Sequence, residues 1–429
     1  MSGLKVSSLK AFWKTLALSM AVVAGLTLAG CGSAPPRPDP VVTPPPPPPA
    51  QEEPDIVLEE PDEPDPRDAE EPDSYIKPPH MEDRTVIRAA LLLPFSASNE
   101  AARNEAASML DAAQLALFER GGDSLLIIPK DTGGRAAGAR AAAQSALREG
   151  ADVILGPLFA ESVTAAADVA WAQGVPVIAF STDRMVAGEG AYLLSYPPEE
   201  EVEALSRYAA SQGAGAAALL GPTNEYTRRF DQRLRENGAM PGGLSFATSE
   251  IYPLFNADAS TAAITRLDQS RGSFGALFLT ETGDSLVELA PILSIHNFEG
   301  RDTLLMGSAL WRSQITLRGV ASLRGALIAG PDENAQTRFE NAYRAAYGSG
   351  PSRLASLAYD AVAIADHLAG ARGRQAELKL ANPQGFLGAG GLFRFDQENI
   401  AERALAIYEL TAGGFQQVQP APTRFPPES

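Results

Sequence analysis

The chain has 429 residues, with 35 Lys and Arg against 53 Asp and Glu, a formal charge of −18 and a single cysteine. Acidity of that size, with no basic cluster to offset it, argues against nucleic acid or an anionic lipid surface as a partner. One cysteine rules out an internal disulfide, so stability must come from a core, and the roughly 340 residues from Asp83 onward can supply one.

Lys5, Lys10 and Lys14 precede an apolar run from Leu16 to Gly30, with small residues just before Cys31. A basic start, a short apolar stretch and a small-residue boundary make a secretory signal over residues 1–30. The run falls short of the about 20 residues that a spanning helix needs. Leu28-Ala29-Gly30-Cys31 resembles the lipobox of bacterial lipoproteins. The resemblance implies cleavage before Cys31 and a diacylglycerol on its thiol; the alternative is a structural cysteine. Loss of the three lysines takes the charge from −18 to −21. One acyl chain binds a membrane only marginally, whereas the three implied here hold firmly. Gly32 and Ser33 follow the cysteine, with no Asp at the second position. By that family's sorting rule this implies the outer membrane, with the protein facing the periplasm.

Residues 31–82 read as a lipidated N-terminus and a disordered linker. Pro44 to Pro49 form a proline run, and Glu, Asp and Pro dominate from Glu52 to Asp73. Such a segment cannot bury enough apolar surface to offset its ordering entropy. Proline favours an extended chain and like charges repel, giving a semi-stiff spacer that reaches at most on the order of 140 Å at about 3.1 Å per residue. It serves either as a stalk or as a solubilising tail.

From Thr85 the pattern alternates. Val86 to Leu93 is a short apolar run, suited to a strand buried on both faces. A helix follows with Ala106, Leu110, Ala113 and Leu117 on one stripe. Leu125–Ile128, Asp152–Leu155 and Val175–Phe180 are further strands, separated by helices near 135–148 and 162–172. After Pro197 the alternation repeats, with strands near 216–220, 244–252, 276–280 and 303–306. The tail mixes a strand near 324–329, helices at 334–347 and 354–369, and a hairpin-like end with Phe393, Phe395 and 404–410. Strands alternating with helices of this length predict an α/β fold of two Rossmann-like lobes with parallel sheets.

The order of these elements resembles the type I periplasmic binding proteins, the leucine-binding protein-like fold, over residues 83–429. Leu91-Leu92-Leu93-Pro94-Phe95-Ser96, Asp131-Thr132-Gly133-Gly134, Gly156-Pro157-Leu158 and Gly174 to Thr182 carry the likeness. The resemblance implies discontinuous lobes: lobe one at about 83–196 and 310–372, lobe two at about 197–309 and 373–429. It also implies a cleft at strand C-termini, where open α/β sheets place their ligands. Ser96, Ser181, Thr182, Tyr226 and Ser308 are the expected lining residues for a small polar ligand. Serine and threonine after a strand are also turn formers and helix caps.

Two departures bear on the ligand. Ala160 stands where amino-acid carriers of this fold place a serine for the ligand carboxylate. Gly307-Ser308-Ala309 lacks the acid that would pair the ammonium, which leaves Glu281 as a substitute. A buried ammonium without a partner is penalised by several kcal/mol.

The phrases Leu155 to Ala160, Val177 to Arg184 and Arg353 to Ala361 resemble the penicillin-binding protein activator lipoproteins of the LpoA type. That resemblance implies a class A penicillin-binding protein, a peptidoglycan synthase, as partner, and attachment to the membrane through the lipid anchor. A solute carrier for an ABC permease is the alternative. No catalytic residues, metal or cofactor are expected. The three histidines, His80, His296 and His367, show no metal spacing, and neither a nucleophile elbow nor a phosphate loop is present.

Overall fold

The computed structural model describes residues 86–425 apart from 121–123, 241–242, 299–302 and 370. The expected signal sequence, Cys31 and the expected linker lie outside the described residues. No described helix is long and apolar enough to cross a membrane.

Lobe one is built on a parallel sheet. Its strands are β1 (Ile87–Leu93), β2 (Leu125–Asp131), β3 (Val153–Leu155), β4 (Val177–Ala179) and β5 (Ala191–Leu193), in the order β2-β1-β3-β4-β5. The apolar run of β1 is explained by its two buried faces. Ile87, Ala89, Leu91 and Leu93 enter one core, against α1 (Glu100–Arg120) and α9 (Ala355–His367). Ala90 and Leu92 enter the other, against α2 (Ala136–Arg148) and α3 (Ala160–Trp171). That alternation is the period-two geometry of a strand, with apolar groups required on both sides. Alanines at 139, 142, 143 and 146 let α2 lie close on the sheet.

Lobe two holds a seven-stranded sheet in the order β15-β14-β10-β9-β8-β6-β7. Its parallel members are β6 (Ala216–Pro222), β7 (Ser245–Tyr252), β8 (Ala276–Leu279), β9 (Leu304–Met306) and β10 (Leu327–Gly330). The strands β14 (Ala406–Thr411) and β15 (Gly414–Gln419) complete it in antiparallel fashion. Helices α4 (Pro198–Ser211) and α5 (Glu225–Ala239) pack on one side, and α6 (Ala257–Gln269) and α7 (Gly283–Ile295) on the other.

The chain crosses between lobes at different places from those expected. Lobe two does not end at 309. Leu327 pairs with Met306, and Trp311, Leu317 and Leu323 from the intervening 3-10 turns sink into the lobe-two core. Lobe one resumes with α8 (Glu333–Tyr347), whose Phe339 and Tyr343 join the lobe-one core. Nor does lobe one end at 372. Its core also takes Ala376 and Leu380 from α10 (Arg374–Leu380). It then takes Phe393, Phe395 and Ala401 from a small antiparallel sheet of β11 (Phe386–Gly388), β12 (Gly391–Phe395) and β13 (Ala401–Arg403). Lobe two resumes only near Leu405.

Candidate functional site

The three crossings, near Tyr196, Pro331 and Leu405, floor a cleft of about 790 Å³ between the lobes. A buried ion pair stands beside two of them. Arg403, at the end of β13, faces Asp360 of α9 at 3.4 Å, and both side chains are almost wholly buried. The guanidinium also donates to the Ser195 carbonyl at 2.8 Å and stacks 4.2 Å over the Tyr196 ring. Asp360 accepts the Ala389 amide at 2.6 Å. Gly388 is required here, because a Cβ on it would fall 2.2 Å from Asp360 Oδ1. The pair thus joins the crossing near Tyr196 to the one near Leu405 and to the Ala389 turn, with both charges partnered in a buried site.

Pro197 and Pro198 lead into α4. Proline at the first helical position gives up an N–H that the helix would not bond, and Glu199, Glu200 and Glu201 fill the first turn, where the helix dipole favours acids. The same turn brings Glu200 and Glu201 to the cleft. Glu201 is buried, and its Oε2 accepts both the Tyr226 hydroxyl and the Ala309 amide at 2.8 Å. Tyr226 in turn shares a 2.8 Å hydrogen bond with the fully buried Ser308 hydroxyl. Burial pushes the Glu201 carboxyl up to about 7, against the pull of those two hydrogen bonds. Burial, with Glu402 nearby, does the same to Glu200.

Four arginines line the cleft, and they fall into two kinds. Arg403 is engaged as described. Arg229 of α5 makes a two-pronged contact with Glu199, at 2.7 and 2.5 Å, and donates to the Thr182 carbonyl at 3.0 Å. Because Thr182 follows β4 of lobe one, that last bond joins the two lobes. Arg312 lies 4.4 Å over the Tyr408 ring, and its Nη1 is buried without a hydrogen-bond partner. Arg353, in the exposed turn before α9, has no ion pair or side-chain hydrogen bond among the described residues. Arg312 belongs to the lobe-two wall and Arg353 to the lobe-one wall.

Of the residues expected to line the cleft, Thr182 and Tyr226 do so. Ser308 is buried behind Tyr226, where its oxygen also accepts the Leu310 amide at 3.0 Å and caps the following turn. Ser181 is buried, and its hydroxyl accepts the Asp183 amide at 3.1 Å, so it forms the turn rather than the wall. Ser96 is exposed and outside the cleft. It donates from Oγ to Asp131, whose carboxylate also accepts the Ser96 and Gly133 amides, joining the ends of β1 and β2. Glu281 does not reach the cleft either. It is buried and accepts the Tyr252 hydroxyl at 2.8 Å. Sequence reasoning missed Glu201, Arg312, Arg353 and Arg403. Only the acidic first turn of α4, Glu199-Glu200-Glu201 after Pro197-Pro198, was a usable local signal.

The chain matches the periplasmic binding protein family over residues 86–414, and it belongs to that family. Members work outside the cytoplasmic membrane, which places the folded part of this chain there. No curated protein matches the sequence significantly. Among solved structures, a putative branched-chain amino acid ABC transporter protein from Rhodospirillum rubrum is similar, with a TM-score of 0.66 and 20% identity, over 78% of this chain and 100% of that one. The C-domain of LpoA (YraM) from Haemophilus influenzae, a regulator of PBP1A, gives a TM-score of 0.59 and 16% identity, over 77% and 99%. The substrate-binding protein LivJ from Streptococcus pneumoniae, in complex with isoleucine, gives 0.50 and 19%, over 78% and 100%. At these identities the likeness is one of fold.

Proposed function

We propose that the chain is a lipid-anchored regulator in the outer membrane, which docks on a class A penicillin-binding protein and raises its peptidoglycan synthase activity. The observation that carries this reading is the state of the lobe-two wall. Tyr226, Ser308 and the Ala309 amide, the groups placed to grip a free amino acid, are bonded to one another through Glu201. A Glu201 carboxyl poised near neutrality and already holding two donors is a poor partner for an ammonium. The lipobox at Cys31 and the long acidic linker fit a protein that reaches a partner from a fixed membrane. The likeness in fold to the C-domain of LpoA, a regulator of PBP1A, supports this reading. Pull-down of the full chain against purified class A synthases tests it. Retention of one of them is expected, and failure to bind any of them ends the reading.

The second reading is a solute-binding lipoprotein serving an ABC permease. It is favoured by the open cations Arg312 and Arg353 in a cleft of about 790 Å³. A ligand at a hundred times its dissociation constant stabilises the fold by about 2.7 kcal/mol. A thermal-shift series with amino acids, amides and muropeptides should then show a clear rise for at least one class, and a flat series removes this reading.

A further inference from the structure

Trp171 belongs to a second recess, within lobe one, that shares no residue with the cleft. Three turns meet there. Gly174 follows α3, Gly190 precedes β5 and Gly373 precedes α10, and the Gly373 amide donates to the Gly174 carbonyl at 2.7 Å. Gly190 has a φ of 80° and lies against the six-membered ring of Trp171, where a Cβ would stand 2.7 Å from the nearest ring carbon. Only glycine meets both conditions. The indole is thus bedded on backbone, yet the residue is 48% exposed.

Beside the ring is a notch of about 10 Å³, room for one water- or methyl-sized group. Two polar groups flank it. Tyr192 is only 5% exposed, and its hydroxyl is open to solvent with no hydrogen-bond partner among the described residues. Burial, with the Glu377 charge adding to it, pushes this hydroxyl up to about 12, so it stays a donor. Glu377, in the first turn of α10, lines the same notch. Its carboxylate has no ion pair or side-chain hydrogen bond among the described residues. A lone exposed tryptophan means little. Here a bedded ring, a methyl-sized hollow, a nearly buried donor and an open acceptor share one recess.

These features set the ligand. The hollow is too small for the leucyl or aromatic anchor of a protein partner, but a methyl enters it. When that methyl belongs to an acetamido group, the amide N–H meets Glu377 and the carbonyl accepts from Tyr192. The ring that carries the group then lies over Trp171, whose electron-rich face attracts polarised C–H groups. A 2-acetamido sugar offers all three on neighbouring atoms. We propose that Trp171, Tyr192 and Glu377 form a binding site for an N-acetylated sugar of a glycan strand. The site goes beyond the regulatory reading, because it gives the folded part a foothold on the glycan itself, with or without a synthase.

Calorimetry and tryptophan fluorescence of the full chain with tri-N-acetylchitotriose test it. The glucosamine trimer and cellotriose, which lack the acetyl group, are the comparison ligands. Peptidoglycan strands freed of their peptides form a further arm, and whichever acetylated ligand binds more tightly assigns the source. The acetylated trimer should bind at least about tenfold more tightly than either comparison ligand. It should also shift the emission of Trp171, since the other tryptophan among the described residues, Trp311, is fully buried. Trp171→Ala should weaken binding by more than about tenfold and Tyr192→Phe by about fivefold. Glu377→Gln keeps an acceptor without the charge and should cost about threefold. Tyr192→Phe and Glu377→Gln remove no buried carbon, so their losses are not those of unfolding, and an unfolding curve checks Trp171→Ala. The assignment is overturned if no acetylated ligand binds, if the glucosamine trimer or cellotriose binds as tightly, or if Trp171→Ala leaves affinity unchanged. None of these results depends on a synthase, so they are separable from the outcome of the pull-down.

Discussion

Two pairs of arginines face the same cleft and differ in what they hold. Arg403 and Arg229 are locked to carboxylates and to backbone carbonyls of lobe one, Ser195 and Thr182. Arg312 and Arg353 keep guanidinium capacity in reserve. Identical side chains thus serve either the architecture or recognition, and neighbours distant in sequence decide which. Substitution should separate the two kinds cleanly.

The largest effect is expected at Arg403. Arg403→Met removes the arginine partner of the buried Asp360, and breaking a buried ion pair from one side typically destabilises by about 3–5 kcal/mol. Denaturant unfolding measures this. The double variant Arg403→Met/Asp360→Leu should recover much of the loss, because no charge is then stranded.

Glu201 comes next, through pH. Its carboxyl is held at about 7 in the folded chain, against an ordinary value of 4.5. Between those values the unfolded state ionises while the folded state keeps its proton. Stability is therefore full below about 4.5 and falls as pH rises through about 7, by up to about 3 kcal/mol. Glu201→Gln can still accept from Tyr226 and Ala309, and it should reduce the dependence of the unfolding midpoint between pH 5 and 8 by about half, the remainder coming from Glu200, which burial raises in the same way. An unchanged slope would place the titrating group elsewhere.

Arg229→Gln removes a partly buried ion pair and the bond to Thr182. A loss of about 1–2 kcal/mol is expected, with a more open lobe arrangement visible as a larger radius of gyration in small-angle scattering. The smallest effects belong to the open pair. Arg312→Gln loses its stack on Tyr408, worth about 0.5–1 kcal/mol. Arg353→Gln should stay within about 0.5 kcal/mol of the parent, as exposed substitutions do. An Arg353 variant as unstable as the Arg403 variant would dissolve the distinction between the pairs.

The contrast also explains which features were legible in the sequence. The runs that became β1 and β6 are apolar because both of their faces are covered, and that requirement is written in consecutive residues. The first crossing, near Pro197, was expected from the family resemblance rather than from any local pattern. The later crossings were not legible, because Leu327–Gly330 is a four-residue strand whose lobe is decided by pairing with Met306 and Ile407 rather than by its own pattern. Thr182, expected from its position after a strand, and Tyr226, expected from the family resemblance, both line the cleft. Ser308 also followed a strand, but strand-end position does not say whether a hydroxyl turns outward or, as here, inward to Tyr226. The arginines were the least legible. Nothing around Arg403 announces an aspartate 43 residues earlier in the chain, and nothing around Arg353 announces that it lacks a partner.

The role itself is tested most directly by the glycan polymerisation rate of a purified class A synthase in the presence of the full chain. The rate should rise with added protein until the synthase is saturated, and Arg403→Met should weaken the effect while Arg353→Gln leaves it intact. A rate unchanged at saturating protein, with the chain folded by its unfolding curve, would contradict the regulatory role.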